Sequence, residues 1–200
     1  ANLANEIRVG GSVPAISLDH PDDRPLDAWS RDELRDAVTA FRTASFAVKA
    51  AGYAAVHLSL DASSWLGRSV VRSSNRRTDR YGRGPTGRLL LPKAVVAAVA
   101  SAGLPVIVRV PCSATLAGAV AIDEAVSLTA AVVAAGASVI EIAPGPRFDD
   151  RRLPLLAGSG EAVLSVQVGA IAARLAEIGI AVPVSRALSL RGLRCREATR

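Results

Sequence analysis

The sequence predicts an α/β fold: a TIM-barrel-like (β/α) repeat that is shortened or incomplete relative to the eight-stranded barrel. One observation is a unit that recurs along the chain, in which an Ala/Val-rich helical stretch ends at a glycine and a short β-branched run follows. The other is composition, since 200 residues of which 50% are hydrophobic suffice for one buried core. Helices and strands that alternate in this way form parallel βα units with right-handed crossovers.

Four copies of the helix–glycine–strand unit are present. In order they are residues 47–52 with strand 56–60, 97–103 with 106–110, 130–136 with 139–142, and 174–179 with 181–184. The first helix has a start signal, because Ser30 and Glu33 have the spacing of a capping box. Pro92 suits the first turn of the second helix, and Asp123 and Glu124 place negative charge at the start of the third.

An N-terminal segment, residues 1–29, falls outside the repeat. Its apolar runs at 7–9 and 13–18, separated by two glycines, predict a β-hairpin with a Gly-Gly turn, and a Pro/Asp loop follows. The βα repeats then fill 30–200, so that 1–200 form a single barrel-like domain. Four units cannot close an eight-stranded barrel, and an open sheet leaves strand edges exposed. We therefore expect a homodimer, or a hairpin that covers the edge.

Composition and spacing argue against several classes of partner. The formal charge of +6 and six arginines between 72 and 88 indicate a basic face, but Asp79 lies among them and aromatics for base stacking are few. We expect no nucleic-acid partner, and no membrane span because no apolar run approaches 18 residues. Cys112 and Cys195 lack metal or disulfide spacing, so a cytoplasmic location is the default expectation. Met is absent, so we expect Ala1 to be a processed or trimmed start.

One motif resembles a known family. Residues 75–82 read NRRTDRYG and are followed six positions later by Arg88. This closely resembles the N-R-x-T-D-x-Y-G-G-S…N-R signature of the Old Yellow Enzyme family of FMN-dependent ene-reductases. The strands at 56–60, 106–110 and 139–143 look like that family's fourth, fifth and sixth barrel strands. The resemblance covers roughly residues 10–190 and implies the middle of the family's (β/α)8 barrel.

The resemblance carries over few of the family's functional residues. The family's fourth strand ends in a His-x-x-His/Asn pair that grips the substrate's carbonyl oxygen, followed by a proton-donating Tyr. The corresponding positions here are Ser59, Ala62 and Ser64, while His57 stands two places earlier, at the family's Glu. The resemblance therefore implies the architecture more strongly than the reductase chemistry.

The flavin site matches the family at one position. Arg109 occupies the place of the family's arginine that faces the flavin ring. The glycines that the family has after its seventh strand, near the cofactor phosphate, are replaced here by Ser185, Arg186 and Ala187. We therefore expect no cofactor, with FMN, contacted by Arg109, as the alternative.

Strand alternation brings three ionisable residues to one interior. Successive side chains of a strand point to opposite faces, so His57, Arg109 and Glu141 share the inner face of three neighbouring strands. An isolated buried charge is costly, and we expect Arg109 to pair with Glu141. These three are the candidate catalytic residues, with the pKa of Glu141 raised by burial or lowered by Arg109. The alternatives are a structural ion pair for Arg109 and Glu141 and a core hydrogen bond for His57.

Candidate substrate-binding residues follow the C-terminal ends of the predicted strands, where barrel enzymes keep their sites. They are Ser59, Asp61, Trp65, Cys112 and Arg147. Arg147 belongs to a long loop at 144–160 that is rich in Pro, Gly, Arg and Asp. The structural alternatives are a solvated loop-start carboxylate for Asp61 and a core plug for Trp65.

Three functions remain open. The first is a flavin-independent, Old Yellow Enzyme-like enzyme that isomerises, cleaves by elimination or cyclises an apolar small molecule held in a reactive conformer. The Arg-over-Lys and Ala-rich bias is typical of high-GC genomes and directs this hypothesis to specialised metabolism, such as polyketide antibiotic biosynthesis. The second is an FMN-dependent reductase, and the third is a non-catalytic subunit that completes another chain's barrel. No metal site is expected.

Overall fold

A five-stranded parallel sheet organises the chain, confirming the predicted fold class. The structure, a computed structural model, describes residues 3–112, 120–144 and 160–186. The strands follow one another in the sheet in chain order: β1 (Ala15–Leu18), β2 (Ala55–Ser59), β3 (Val106–Cys112), β4 (Val139–Pro144) and β5 (Val184–Arg186). This order is that of successive βα units around part of a barrel.

Helices connect the strands on one side of the sheet. They are α1 (Leu3–Val9), α2 (Arg31–Ala50), α3 (Gly67–Val70), α4 (Gly84–Arg88), α5 (Leu90–Ala100), α6 (Ile122–Ala134) and α7 (Gly160–Glu177), with a short 3₁₀ helix at Leu26–Ala28. Each of the four predicted glycines follows a helix and has a positive φ, as at Gly136 with φ of 112°. None of the described helices is both long and apolar enough to cross a membrane.

The predicted N-terminal hairpin is wrong. The segment Leu3–Val9 is a helix, and β1 pairs in parallel with β2, with Ala15 opposite Ala55. The two glycines end α1 instead of turning a hairpin: the Ser12 N–H donates to the Ile7 carbonyl (3.1 Å) and the Gly11 N–H to the Arg8 carbonyl (2.9 Å). These are the two hydrogen bonds of a Schellman cap. The segment is therefore a further copy of the helix–glycine–strand unit.

Helix α2 begins as its sequence predicts. The Ser30 hydroxyl accepts the Glu33 N–H at 3.1 Å, and the Glu33 carboxylate accepts the Ser30 N–H at 2.7 Å, which completes the capping box. Its buried face consists of Leu34, Ala37, Phe41, Ser45 and Val48. Leu34 and Phe41 belong to the hydrophobic core that the helices form with the sheet.

The two faces of the sheet have opposite character. On the helix side, side chains at alternate positions are fully buried, as for Val56, Val108 and Ile140. On the other side the alternate positions carry His57, Arg109 and Glu141 among others, and these are only partly buried. This second side is called the inner face here, because it corresponds to the interior of a closed barrel. The fold thus gathers polar side chains on one open surface.

The signature motif folds as a structural brace between β2 and α5. The Asn75 side-chain amide donates to the Ser69 carbonyl (2.7 Å) and to the Tyr81 carbonyl (3.0 Å), and it is 7% exposed. Arg88, at the motif's far end, forms an ion pair with Glu124 of α6 at 2.6 Å. Asn75 and Arg88 therefore hold this loop in place, and Arg88 is not part of a free basic surface.

Candidate functional site

An open cavity of about 510 Å³ lies against the inner face of the sheet. Its walls are formed by Ala15, Ile16, Ser17, His57, Ile107, Arg109, Val139, Glu141 and Ser185. The three candidate catalytic residues therefore share one interior, as strand alternation predicts. Apolar and polar walls alternate around it, which suits a molecule with both kinds of surface. Among the described residues, no cluster of His, Cys, Asp and Glu side chains is placed to hold a metal ion.

His57 occupies the middle of the cavity wall with both ring nitrogens in hydrogen-bond contacts. Its Nε2 lies 3.1 Å from Oε2 of Glu141, and its Nδ1 lies 3.2 Å from Oγ of Ser17. The register explains the second contact, since Ser17 is directly opposite His57 in the parallel pair of β1 and β2. The His57 side chain is 22% exposed, so the hydrogen-bonded imidazole faces the cavity.

Glu141 is held in its ionised form. The hydrogen bond from His57 lowers the pKa of this carboxyl below its usual value, and the nearby charges of Arg109 and His57 lower it further, against burial, which raises it. Of the two directions that the sequence leaves open, the pKa of Glu141 is lowered, and His57 is a larger cause than Arg109. A carboxylate at this position accepts hydrogen bonds and does not donate a proton at neutral pH.

Arg109 pairs with Asp61 and not with Glu141, so the predicted partner is wrong. Its Nε lies 3.0 Å from Oδ2 of Asp61, at an angle that does not make a hydrogen bond. Arg109 is opposite Ser59 in the register of β2 and β3, and Asp61 follows Ser59 by two residues at the strand end. Asp61 is therefore not simply a solvated carboxylate: its side chain is 25% exposed and holds the arginine in place.

Ser59 and Ser64 are engaged in the turn that follows β2. The Ser59 hydroxyl accepts the N–H of Asp61 at 3.2 Å. The Ser64 hydroxyl lies 2.7 Å from the Ser59 carbonyl and 2.8 Å from the Asp61 carbonyl, and it accepts the Gly67 N–H at 3.0 Å. Ser64 is 5% exposed. The hydroxyl at the place of the family's proton-donating Tyr therefore stabilises the backbone and does not face the cavity.

Two predicted substrate-binding residues lie in the core. Trp65 is 1% exposed and packs against His20, Trp29 and Phe41, with ring centroids 5.1 to 5.9 Å away. Cys112 is fully buried, and burial raises the pKa of its thiol. The structure thus agrees with the core-plug alternative for Trp65, and neither residue lines the cavity. Arg147 lies outside the described residues.

Sequence reasoning missed Ser17 as a member of the site. The segment that contains Ser17 was predicted to be a hairpin, so β1 was not expected in the parallel sheet. Ser17 was therefore not expected opposite His57. The signal that could have found it is the Gly10-Gly11 pair, because a helix that ends there makes residues 15–18 the strand of a further βα unit. Alternation then places Ser17 on the inner face.

Comparison with known proteins supports the fold. No family model matches the sequence, and neither does any curated protein. Among solved structures, histamine dehydrogenase from Rhizobium sp. 4-9 superposes with a TM-score of 0.69 and 17% identity over 92% of this chain and 30% of that one. Morphinone reductase gives a TM-score of 0.56 and 22% identity over 84% and 48%. The Old Yellow Enzyme homologue from Zymomonas mobilis gives 0.54 and 18% over 90% and 58%.

These matches also correct the cofactor expectation. The chain spans between about a quarter and three fifths of the proteins it resembles. Their names include morphinone reductase and Old Yellow Enzyme itself, members of the flavin-dependent family that the motif at 75–82 resembles. The expectation of no cofactor is contradicted by these matches, because the solved structures that share this fold are of flavin-dependent enzymes. The chain has the fold of part of the Old Yellow Enzyme barrel.

Proposed function

We propose that this chain is part of an FMN-dependent oxidoreductase of the Old Yellow Enzyme type. In this proposal the inner face of its sheet forms one wall of the site for the flavin ring and the substrate. The observation that carries it is the position of Arg109, a cation that lines the inner-face cavity in a sheet with that family's fold. FMN, when bound, supplies hydride transfer.

The residues present fit a flavin ring in two respects. The Arg109 side chain lines the cavity and is 25% exposed, and a guanidinium is suited to the anionic edge of a reduced flavin. The apolar side chains of Ile107 and Val139 line the same cavity and suit the flat faces of an aromatic ring. Asp61 fixes the orientation of Arg109, which reduces the entropy lost when the guanidinium binds a ligand.

The same walls support a small, largely apolar substrate. Aliphatic side chains and the imidazole of His57 face the cavity together, so a molecule with an apolar body and one polar group fits both surfaces. No contact among the described residues favours rearrangement or cyclisation over reduction. Those two reactions are therefore not part of the proposal.

A titration with FMN tests the proposal. The purified protein, stripped of bound small molecules, is mixed with increasing FMN, and quenching of flavin fluorescence reports binding. Replacing Arg109→Leu removes a charge-assisted contact, so the affinity should fall about tenfold to a hundredfold. Arg174→Leu is the matched control, because Arg174 also pairs with an aspartate, Asp123 at 3.0 Å, but lies on α7. Wild-type protein that binds no FMN, or an unchanged affinity in Arg109→Leu, contradicts the proposal.

A non-catalytic subunit is the second candidate function. The observation that favours it is the open inner face, which the described residues leave uncovered on the side away from the helices. In that case the chain completes the barrel of another chain and supplies Arg109 to a shared flavin. Flavin binding that appears only when a second, different protein is added supports this candidate. Flavin binding and NADPH oxidation by the purified protein alone contradict it.

A further inference from the structure

Ser17, His57 and Glu141 form a continuous hydrogen-bonded chain across the inner face. The two links are 3.2 Å, from Ser17 Oγ to His57 Nδ1, and 3.1 Å, from His57 Nε2 to Glu141 Oε2. We propose that this chain is a proton relay whose cavity end is the Ser17 hydroxyl, and that it exchanges a proton with the carbon next to the carbonyl group of a bound ketone or aldehyde. The inference rests on the proposed function, for which it names the proton donor.

The ionised carboxylate fixes the direction of the chain. Glu141 accepts a hydrogen bond, so the Nε2 of His57 carries the proton of that link. In a neutral imidazole the Nδ1 is then an acceptor, and the Ser17 hydroxyl donates to it. The arrangement is that of a serine, histidine and carboxylate triad, in which the carboxylate orients the imidazole and stabilises its protonated form.

Ser17 is the end of the relay because His57 has no free nitrogen. Both ring nitrogens are occupied by Ser17 and Glu141, whereas the Ser17 side chain is exposed and lines the cavity. The hydroxyl of Ser64, which stands at the position of the family's proton-donating Tyr, is buried in the turn after β2. Ala62 has no side-chain group that could donate a proton. A molecule in the cavity thus meets the relay at Ser17.

The proton transfer balances without a further reactant. When the Nδ1 of His57 takes the proton of Ser17, the Ser17 oxygen takes a proton from the carbon next to the carbonyl. That C–H bond breaks and its electron pair forms the enolate, leaving an imidazolium that the carboxylate of Glu141 stabilises. The cation of Arg109 lines the same cavity and offsets the negative enolate oxygen. In the reverse direction the relay delivers a proton to carbon. Reduction of a C=C bond conjugated to a carbonyl requires this proton in addition to the hydride.

Deuterium uptake by a saturated ketone tests the relay without any redox step. Cyclohexanone is incubated with the protein in D₂O, without reductant and with or without FMN, and mass spectrometry follows deuterium at the carbons next to the carbonyl. Wild-type protein should exceed the protein-free rate, and His57→Gln should lose about a hundredfold of that enhancement. Ser17→Ala should lose most of it and Ser17→Thr should keep it. Ser101→Ala, which loses one surface hydroxyl bonded to Ala98 (2.6 Å), should match the wild type.

Each alternative outcome overturns a stated part of the proposal. No enhancement by the wild-type protein overturns the relay. Full activity in Ser17→Ala with loss in His57→Gln overturns Ser17 as the cavity end. A second readout is ¹⁵N NMR of the imidazole, simplified because the chain has two histidines. In the wild type we expect the His57 tautomer with the proton on Nε2, and in Glu141→Gln we expect this tautomer to be lost. A proton on Nδ1 in the wild type would overturn the proposed direction of the hydrogen bonds. Failure to bind FMN changes neither readout, so it contradicts the proposed function separately.

Discussion

Arg77 and Asp79 form a two-pronged ion pair at the centre of the signature motif. Nε of Arg77 donates to one carboxylate oxygen of Asp79 at 3.0 Å, and Nη2 donates to the other at 2.8 Å. Nη1 of the same guanidinium donates to the backbone carbonyls of Leu26 and Trp29 at 2.6 and 2.5 Å. The pair therefore ties the loop after β2 to the segment before α2. Arg77 and Asp79 of the motif therefore have a structural role that does not depend on a cofactor.

Asp79→Asn should destabilise the fold. The variant leaves the Arg77 guanidinium, 7% exposed, without its counter-charge, so the free energy of unfolding should fall by about 1–3 kcal/mol. Urea denaturation followed by circular dichroism measures it. Asp36→Asn on the exposed side of α2 makes the same chemical change and should alter stability by less than about 0.5 kcal/mol. Equal effects of the two substitutions would show that the ion pair does not stabilise the fold.

The contribution of Asp79 to stability should be lost at acidic pH. Hydrogen bonds from Arg77 lower the pKa of Asp79 from 3.8 to about 2. A carboxyl whose pKa is lower in the folded than in the unfolded protein adds stability above the unfolded value, and that stability is lost as the pH falls through the folded value. Wild-type protein should therefore lose roughly 1–2 kcal/mol more than Asp79→Asn between pH 5 and pH 2. Urea denaturation across this range checks it, and parallel pH curves for the two proteins would contradict it.

Local signals in the sequence predicted the elements well, because they act within a few residues. The capping box at Ser30 and the glycines that end helices each depend on short-range hydrogen bonds, and all are present. The N-terminal segment failed because a Gly-Gly pair suits both a tight hairpin turn and a helix C-terminus. What decides between them is the pairing of Ala15 with Ala55, a contact that no local pattern encodes.

Strand alternation predicted that three ionisable residues share the inner face, but it did not predict which of them pair or that Ser17 joins them. Alternation places His57, Arg109 and Glu141 on one face whatever their contacts. Which charges meet depends on the reach of each side chain across the sheet, and Arg109 extends to Asp61 beyond the strand end while His57 reaches Glu141. Such contacts depend on the strand order and on the direction in which each side chain extends. The alternation of side chains along a strand reveals neither.

Gly82 of the motif has no room for a side chain. A Cβ at this position would lie 2.2 Å from the carbonyl oxygen of Arg77, so Gly82→Ala should force the brace apart and cost about 2 kcal/mol or more. Gly169→Ala is the matched control: it lies in α7 with open space around it, and alanine there should raise stability by about 0.5–1 kcal/mol. Thermal unfolding measures both. A Gly82→Ala variant as stable as the wild type would mean that the turn between Arg77 and Gly82 relaxes without cost.

The edge strands of the sheet offer surfaces for assembly. Within the described residues β1 and β5 each pair with one neighbour only, so each presents an edge on which another strand can pair. We propose that a second copy covers such an edge, and light scattering should then give twice the chain mass of 20.6 kDa. Ser185→Lys places a charge on β5, which discourages edge pairing and should shift the protein toward monomer. Ala173→Lys adds the same charge to the exposed surface of α7 and should leave the mass unchanged. A wild-type protein that is monomeric at all concentrations contradicts the proposal, since its edges would then need no second copy.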